Sequence, residues 1–303
     1  MKPGRSDGFT LLEVLVASAL TALIAGVLLV VVATTLGNWN RTQGRLRAAS
    51  QAQRVLDQLE RDLQGALWRD DGAAWFIATV QPSSSVSSEW IAGGKSIDAS
   101  LDLMSESMSE SRFGVAGVWL RFFTTRPGTD PRTGDSAAPV AVGYQIVRRA
   151  KTHSGSEIGY YLYRSEITAA ATQAAGYDLT GDAFATVSTV EGAAGNLITP
   201  PARYLIAENV VDFGVTLYAP VTDIAGSSSV ACVFPLSATD LEYRASPRRL
   251  PCIVDVMIRV LTDEGARRIA ALETHRLDGD WWRIAEANSY TFTRRIAILA
   301  RGS

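Results

Sequence analysis

From Phe9 to Leu36 the chain reads FTLLEVLVASALTALIAGVLLVVVATTL, with Glu13 as its only charged residue. At a rise of 1.5 Å per residue, about 20 such residues cross the hydrocarbon core of a bilayer, so this run is long enough to span one. A cleaved secretory signal needs a shorter apolar core of roughly 7–15 residues and small residues at its far end. The far end here, Thr34-Thr-Leu-Gly-Asn-Trp39, has no Ala-x-Ala pattern. An uncut anchor helix accommodates the length but leaves Glu13 unexplained. A carboxylate at the bilayer centre costs about 2.5–3.5 kcal/mol, less near an interface, and normally has a partner. No Lys or Arg stands three or four residues along from Glu13, and the nearest basic residue is Arg5, in the polar stretch before the helix.

The string Gly8-Phe9-Thr10-Leu11-Leu12-Glu13 follows a short polar leader carrying Lys2 and Arg5, and precedes an uninterrupted apolar helix. In this it resembles the leader of type IV prepilins and type II secretion pseudopilins. The resemblance implies cleavage by prepilin peptidase between Gly8 and Phe9, N-methylation of Phe9, and assembly with other pilin or pseudopilin subunits on an inner-membrane platform. It also implies a partner for Glu13, the new N-terminal amine of a neighbouring subunit. Basic residues flank both ends of the helix (Lys2 and Arg5, then Arg41, Arg45 and Arg47), so charge alone does not orient it. A single pass with the N-terminus cytoplasmic and the C-terminal domain periplasmic is what the leader resemblance implies.

Beyond the apolar run, Leu46, Gln53, Val55, Leu56, Leu59, Leu63 and Leu67 follow three-four spacing, and Arg54, Asp57, Arg61 and Asp62 are assigned to the other face. One helix from Phe9 to about Trp68 is therefore expected, with Gly26, Gly37 and Gly44 as points of weakness. After Gly72 the pattern changes to β-branched and aromatic runs broken by Gly, Pro, Ser and Asp. Strands are expected at Trp75–Val80, Val115–Thr125, Val140–Arg148, Ile158–Ile167, Val210–Tyr218, Val230–Phe234, Cys252–Thr262 and Ser289–Leu299. Loops are expected at Pro82–Ser88, Ser105–Ser111, Arg126–Pro139 and the Ala-rich Ala169–Ala175. A short helix is expected at Glu264–His275, capped by Thr262 or Asp263 and supported by a Glu264/Arg268 pair. The fold class is α+β, a long N-terminal helix packed on an antiparallel sheet domain. Residues 1–8 form the leader, 9–36 the membrane and assembly helix, 37–70 its amphipathic continuation, and 71–303 a β-rich globular domain. Leu56–Leu63, Asn209–Phe213 and Leu250–Val256 also look similar to stretches of pseudopilin J and PilW-type minor pilins.

A formal net charge of -2 and the lack of a basic, aromatic-interleaved stripe argue against nucleic-acid binding. His153 and His275 stand in no metal or catalytic spacing, and there is no P-loop, G-x-S-x-G or Rossmann glycine run. No catalytic residue, metal or cofactor is therefore expected. Asp130–Asp135 and Asp178–Asp182 offer two carboxylates each and read as Asp-Gly turns rather than calcium loops. The two cysteines, Cys232 and Cys252, leave two states open, a disulfide if the domain lies outside the cytoplasm or a pair of buried thiols. The seven tryptophans, including the pair Trp281-Trp282, read as core or interface anchors. A membrane-anchored periplasmic binding module or enzyme is the alternative from another functional class.

Overall fold

The computed structural model describes residues 10–69, 71–80, 91–92, 117–125, 138–150, 158–188, 190–222, 228–236, 242–245, 251–274, 276–298 and 301–302. The expected loops at Pro82–Ser88 and Ser105–Ser111, most of Arg126–Pro139, and both histidines lie outside these residues. Contacts divide the chain into two compact units, Met1–Leu46 and Arg47–Ser303.

Helix α1 (Leu11–Gln64) runs through Gly26, Gly37 and Gly44 without a break. Its apolar stretch is long enough to cross a membrane, and Leu11, Leu15, Leu20, Leu23 and Leu29 are all exposed. In the second unit the same helix is amphipathic. Ala48, Ala52, Val55, Leu56, Leu59 and Leu63 form its buried stripe. The spacing differs from the expected one at four positions. Leu46 and Gln53 are exposed, Asp62 is buried, and Leu67 has left the helix. Positions 48, 52, 55, 59 and 62 advance by four and three, which keeps one face of a 3.6-residue helix pointed at the core.

The helix stops at Gln64, four residues early, because the chain must pass against a strand. The Gly65 N–H still donates to the Arg61 carbonyl. A Cβ on Gly65 would lie 2.8 Å from Thr124 Oγ1 and 2.9 Å from the Thr125 carbonyl, so only glycine fits this crossing. The Thr125 N–H donates to the Gly65 carbonyl at 2.9 Å and the Thr124 hydroxyl to the Asp62 carbonyl at 2.8 Å.

All eight expected strands form, with end shifts of a few residues. They are β2 (Phe76–Val80), β4 (Val118–Thr125), β5 (Pro139–Ala150), β6 (Ile158–Glu166), β8 (Val210–Thr222), β9 (Ser228–Phe234), β11 (Ile253–Leu261) and β12 (Ser289–Ala297). Five shorter strands join them among the described residues: β1 (Leu67–Trp68), β3 (Ile91–Ala92), β7 (Leu205–Glu208), β10 (Glu242–Arg244) and β13 (Arg301–Gly302). Runs of two to four residues are too short to show a period, so sequence patterning does not find them.

Two antiparallel sheets result. The larger has the order β10-β2-β4-β5-β6-β7, with β3 beside β5, and the smaller has β12-β11-β8-β9. Only the two-residue pairing of β1 with β13 is parallel among the described strands. The main core joins the helix stripe to both sheets through Phe76, Phe122, Tyr144, Leu162, Phe213, Leu217, Val254 and Ile258. The smaller sheet also grips the helix by charge, since Arg294 on β12 reaches Asp57 at 2.6 Å and Glu60 at 2.9 Å.

Four short α-helices follow among the described residues. The Ala-rich segment expected as a loop is helix α2 (Ala169–Ala175), because Thr168 caps it by accepting from the Ala171 N–H. Helix α3 is Asp182–Ala185, helix α4 is Asp263–Glu273 and helix α5 is Trp281–Ala287. Thr262 caps α4 as expected, but its exposed ion pair joins Glu264 to Arg267, three residues on, rather than to Arg268.

Cys232 and Cys252 are both free thiols. Cys232 is the register partner of Tyr218 on β8, and the Cys252 N–H donates to the Tyr218 carbonyl from the opposite side. Two strand spacings, about 10 Å, thus separate them. Disulfides join Cα atoms less than about 7 Å apart, so linking this pair requires one flanking strand to move.

Leu59 is fully buried between helix and sheets, whereas Gln53 faces solvent on the same element. Leu59→Ala is expected to lower the unfolding free energy of the detergent-solubilised chain by about 2–5 kcal/mol. Gln53→Ala should change it by no more than about 0.5 kcal/mol in the same denaturant titration.

Candidate assembly site and the polar clusters that hold the domain

Gly8 and Phe9 lie outside the described residues, and the described chain begins at Thr10. Thr10 and Glu13 face each other across the first turn of α1. The Thr10 N–H donates to Glu13 Oε2 at 3.0 Å, and the Thr10 hydroxyl donates to the same oxygen at 3.1 Å. The Glu13 N–H returns a bond to the Thr10 hydroxyl at 3.3 Å. Thr10-Leu-Leu-Glu13 is therefore a capping box, in which side chains satisfy backbone donors that no helical carbonyl can reach. A negative charge in the first turn is also favoured by the helix dipole. Within a single chain, then, the lone carboxylate of the apolar run already has partners. Its other oxygen stays available, and a cation presented there meets a carboxylate whose rotamer is fixed.

Asp178, in the second acidic loop, is committed to the turn itself. Its Oδ1 accepts from the Thr180 N–H at 2.9 Å, the Thr180 hydroxyl at 2.6 Å and the Ala74 N–H at 3.3 Å. The first loop, Asp130–Asp135, lies outside the described residues.

Two polar clusters that the sequence does not announce are buried in the larger unit. The first is built on Asp62, which the helix presents inward near its end. Arg164 on β6 holds it with two bonds, Nε to Oδ2 at 2.6 Å and Nη2 to Oδ1 at 2.9 Å. The Tyr144 hydroxyl on β5 donates to Oδ2, Gln58 donates to Oδ1 at 3.1 Å, and Arg164 also pairs with Glu166. Burial followed by the Asp62 charge raises the Tyr144 pKa well above the usual phenol value. Burial opposes the charge on Arg164, but its bonds to Asp62 and the surrounding negative charge outweigh that and raise its pKa. A periodicity signal for Asp62 exists, since it stands seven residues after Val55, two turns along the buried stripe.

The second cluster ties β5, β6, α4 and α5 together through Glu273. Arg148 pairs with one carboxylate oxygen, while the Tyr160 hydroxyl and the Trp281 indole N–H, at 3.0 Å, donate to the other. Arg148 is 1% exposed and Trp281 1%. Burial and then the Glu273 charge push the Tyr160 pKa well above the usual phenol value. The expectation for Trp281 as a core anchor matches this position, and its polar edge supplies part of the anchoring.

Among known protein families, the chain matches the prokaryotic N-terminal methylation motif over residues 4–29. Neither a curated protein nor a solved structure matches it. The methylation motif, a long N-terminal helix and a β-sheet domain behind it together fit a type IV pilin-like protein, processed at its N-terminus and held by a membrane anchor.

Removing one partner from a buried ion pair costs about 3–5 kcal/mol, because the other charge stays buried. Asp62→Ala is expected to destabilise the chain by that amount, and Tyr144→Phe by about 1–3 kcal/mol, both read by denaturant unfolding. A second expectation concerns alkaline pH. Tyr144 and Tyr160 have raised folded-state pKa values, so their contribution is complete below about pH 10, the unfolded value. Above that pH the unfolded chain sheds protons that the fold retains, and stability falls. Absorbance titration of the nine tyrosines should show a group that ionises only with cooperative unfolding, and Tyr144→Phe with Tyr160→Phe should remove that group.

Proposed function

We propose that the chain is a minor pilin or pseudopilin. It is a structural subunit cut after Gly8 by prepilin peptidase, methylated at Phe9, and assembled through its N-terminal helix into a type IV pilus or type II secretion-like filament. The observation that carries this is the methylation motif at residues 4–29 lying across the start of an apolar helix whose charged residue is Glu13. Before assembly the subunit sits in the inner membrane as a single pass, with residues 71–303 in the periplasm. Residues 9–36 then bundle with the same helices of other subunits, delivered by the inner-membrane assembly platform.

The capping box gives this assembly a physical starting point. Glu13 enters the membrane with its charge partly satisfied by Thr10. The terminal amine of a neighbouring mature subunit then offers a full positive charge, and a charge-assisted bond is roughly twice as strong as a neutral one. Residues 71–303 make a domain of considerable bulk with two sheets. Bulk of this kind is easier to place at a filament tip than in every turn, which favours a minor subunit. The similarity of Leu56–Leu63, Asn209–Phe213 and Leu250–Val256 to pseudopilin J and PilW-type minor pilins points the same way. In this fold those stretches give Leu56, Leu59, Leu63, Val210, Phe213, Val254 and Val256 to the main core.

Mass spectrometry of the mature N-terminus is the direct test. A chain beginning at methylated Phe9 is expected, and an intact Met1 in the membrane fraction would overturn the proposal. Glu13→Val should leave insertion and cleavage intact but reduce incorporation into sheared or cross-linked filaments at least about tenfold. Normal incorporation would rule out charge pairing through Glu13.

A further inference from the structure

A cleft of about 600 Å³ opens beside α4, within the size range of binding sites for small ligands and peptide segments. Its apolar wall comes from Tyr160, Tyr161, Leu261, Ile269 and Ala270, and three of its lining residues, Arg148, Arg267 and Arg276, carry guanidinium groups. Glu273 is the one carboxylate among the described lining residues, and it is already bonded to Arg148, Tyr160 and Trp281. Arg267 and Arg276 are exposed at the rim. Arg148 lies in the floor, and its Nε and Nη1 carry no hydrogen bond although both are buried. A buried guanidinium satisfied on only one of its nitrogens is costly unless something else accepts from it. Arg148 neutralises Glu273 through one nitrogen, which leaves the other two without an acceptor.

We infer that this cleft takes a short peptide segment of another subunit, one that carries a carboxylate flanked by apolar side chains. The apolar wall would cover the flanking side chains, and the excess of guanidinium groups would receive the carboxylate, with Arg forks suited to bidentate pairing. The segment would enter over Arg267 and Arg276 and draw its charge toward Arg148. Both rim arginines are exposed. Arg267 makes only an exposed pair with Glu264 and a backbone bond to Asp263, contacts of the kind that contribute about 0–1 kcal/mol. The inference rests on the subunit reading for the source of the peptide, and the chemistry of the cleft stands apart from it.

The test uses the full-length protein in detergent and two short peptides bearing an uncharged dye, one with a central Leu-Asp-Leu and the other with Leu-Asn-Leu. Fluorescence anisotropy is expected to show the Asp peptide binding at least about tenfold more tightly than the Asn peptide. The double variant Arg267→Gln with Arg276→Gln, folded as judged by an unchanged melting temperature, should weaken the Asp peptide by a similar factor and leave the Asn peptide unchanged. Raising salt should reduce the difference between the two peptides. Equal binding of both peptides, no binding at millimolar concentration, or indifference to the double variant would each overturn the inference. Mass spectrometry on the same sample separates the two proposals. A methylated Phe9 without Asp-selective binding removes the cleft proposal alone. Selective binding by a chain with intact Met1 removes the subunit reading and leaves a membrane-anchored peptide-binding module.

Discussion

A single carboxylate fixes how the larger unit is put together. Asp62 enters the interior from the last full turn of α1 and is met by Arg164 from β6, Tyr144 from β5 and Gln58 from its own helix. Apolar packing alone lets a helix slide or rotate on a sheet at modest cost, because hydrophobic contact has no direction. A buried charge removes that freedom, since any register that misses Arg164 leaves Asp62 unpaired in the interior. The close passage at Gly65 and the bonds from Thr124 and Thr125 follow from the same placement. So does the seating of Ala48 and Ala52, whose small side chains are buried earlier along the stripe.

Much of this could be read in the sequence, and the exceptions share a cause. The apolar run, the strands and the Thr262 cap depend on local periodicity or on neighbours within four residues, and such signals survive in a single sequence. Charged residues inside the fold do not announce themselves in that way. Asp62 reads as an outer-face residue because it is charged, although its spacing from Val55 and Leu59 puts it on the inner one. Tyr144 and Arg164 lie 82 and 102 residues downstream of it, and Arg148 stands 125 residues from Glu273, so no local pattern announces either ion pair. The Ala-rich segment failed for the opposite reason. Its composition suggested a loop, and the capping threonine just before it decided for a helix.

The candidate site divides along the same line. Gly8, Phe9 and Glu13 belong to a contiguous string and are visible without a structure. The bonding of Glu13 to Thr10 is also local, and the Thr-x-x-Glu spacing that signals a capping box was present in the string from the start. The cleft beside α4 could not be seen, because Arg148 comes from β5 and Arg267 and Arg276 from α4 and the residues after it, and only the fold brings them together.

In the proposed filament, the capping box also bears on how fast a subunit changes partners. A carboxylate that must first be desolvated and then search for a cation faces a barrier on both counts. Glu13 faces neither, because Thr10 holds it in one orientation from the moment the helix forms. In the proposed assembly, joining a neighbour adds its amine to the oxygen that Thr10 leaves open, and leaving it breaks only that bond. A lattice built on such contacts would be reversible while each contact remains specific, with Thr10 setting the geometry in which each one forms.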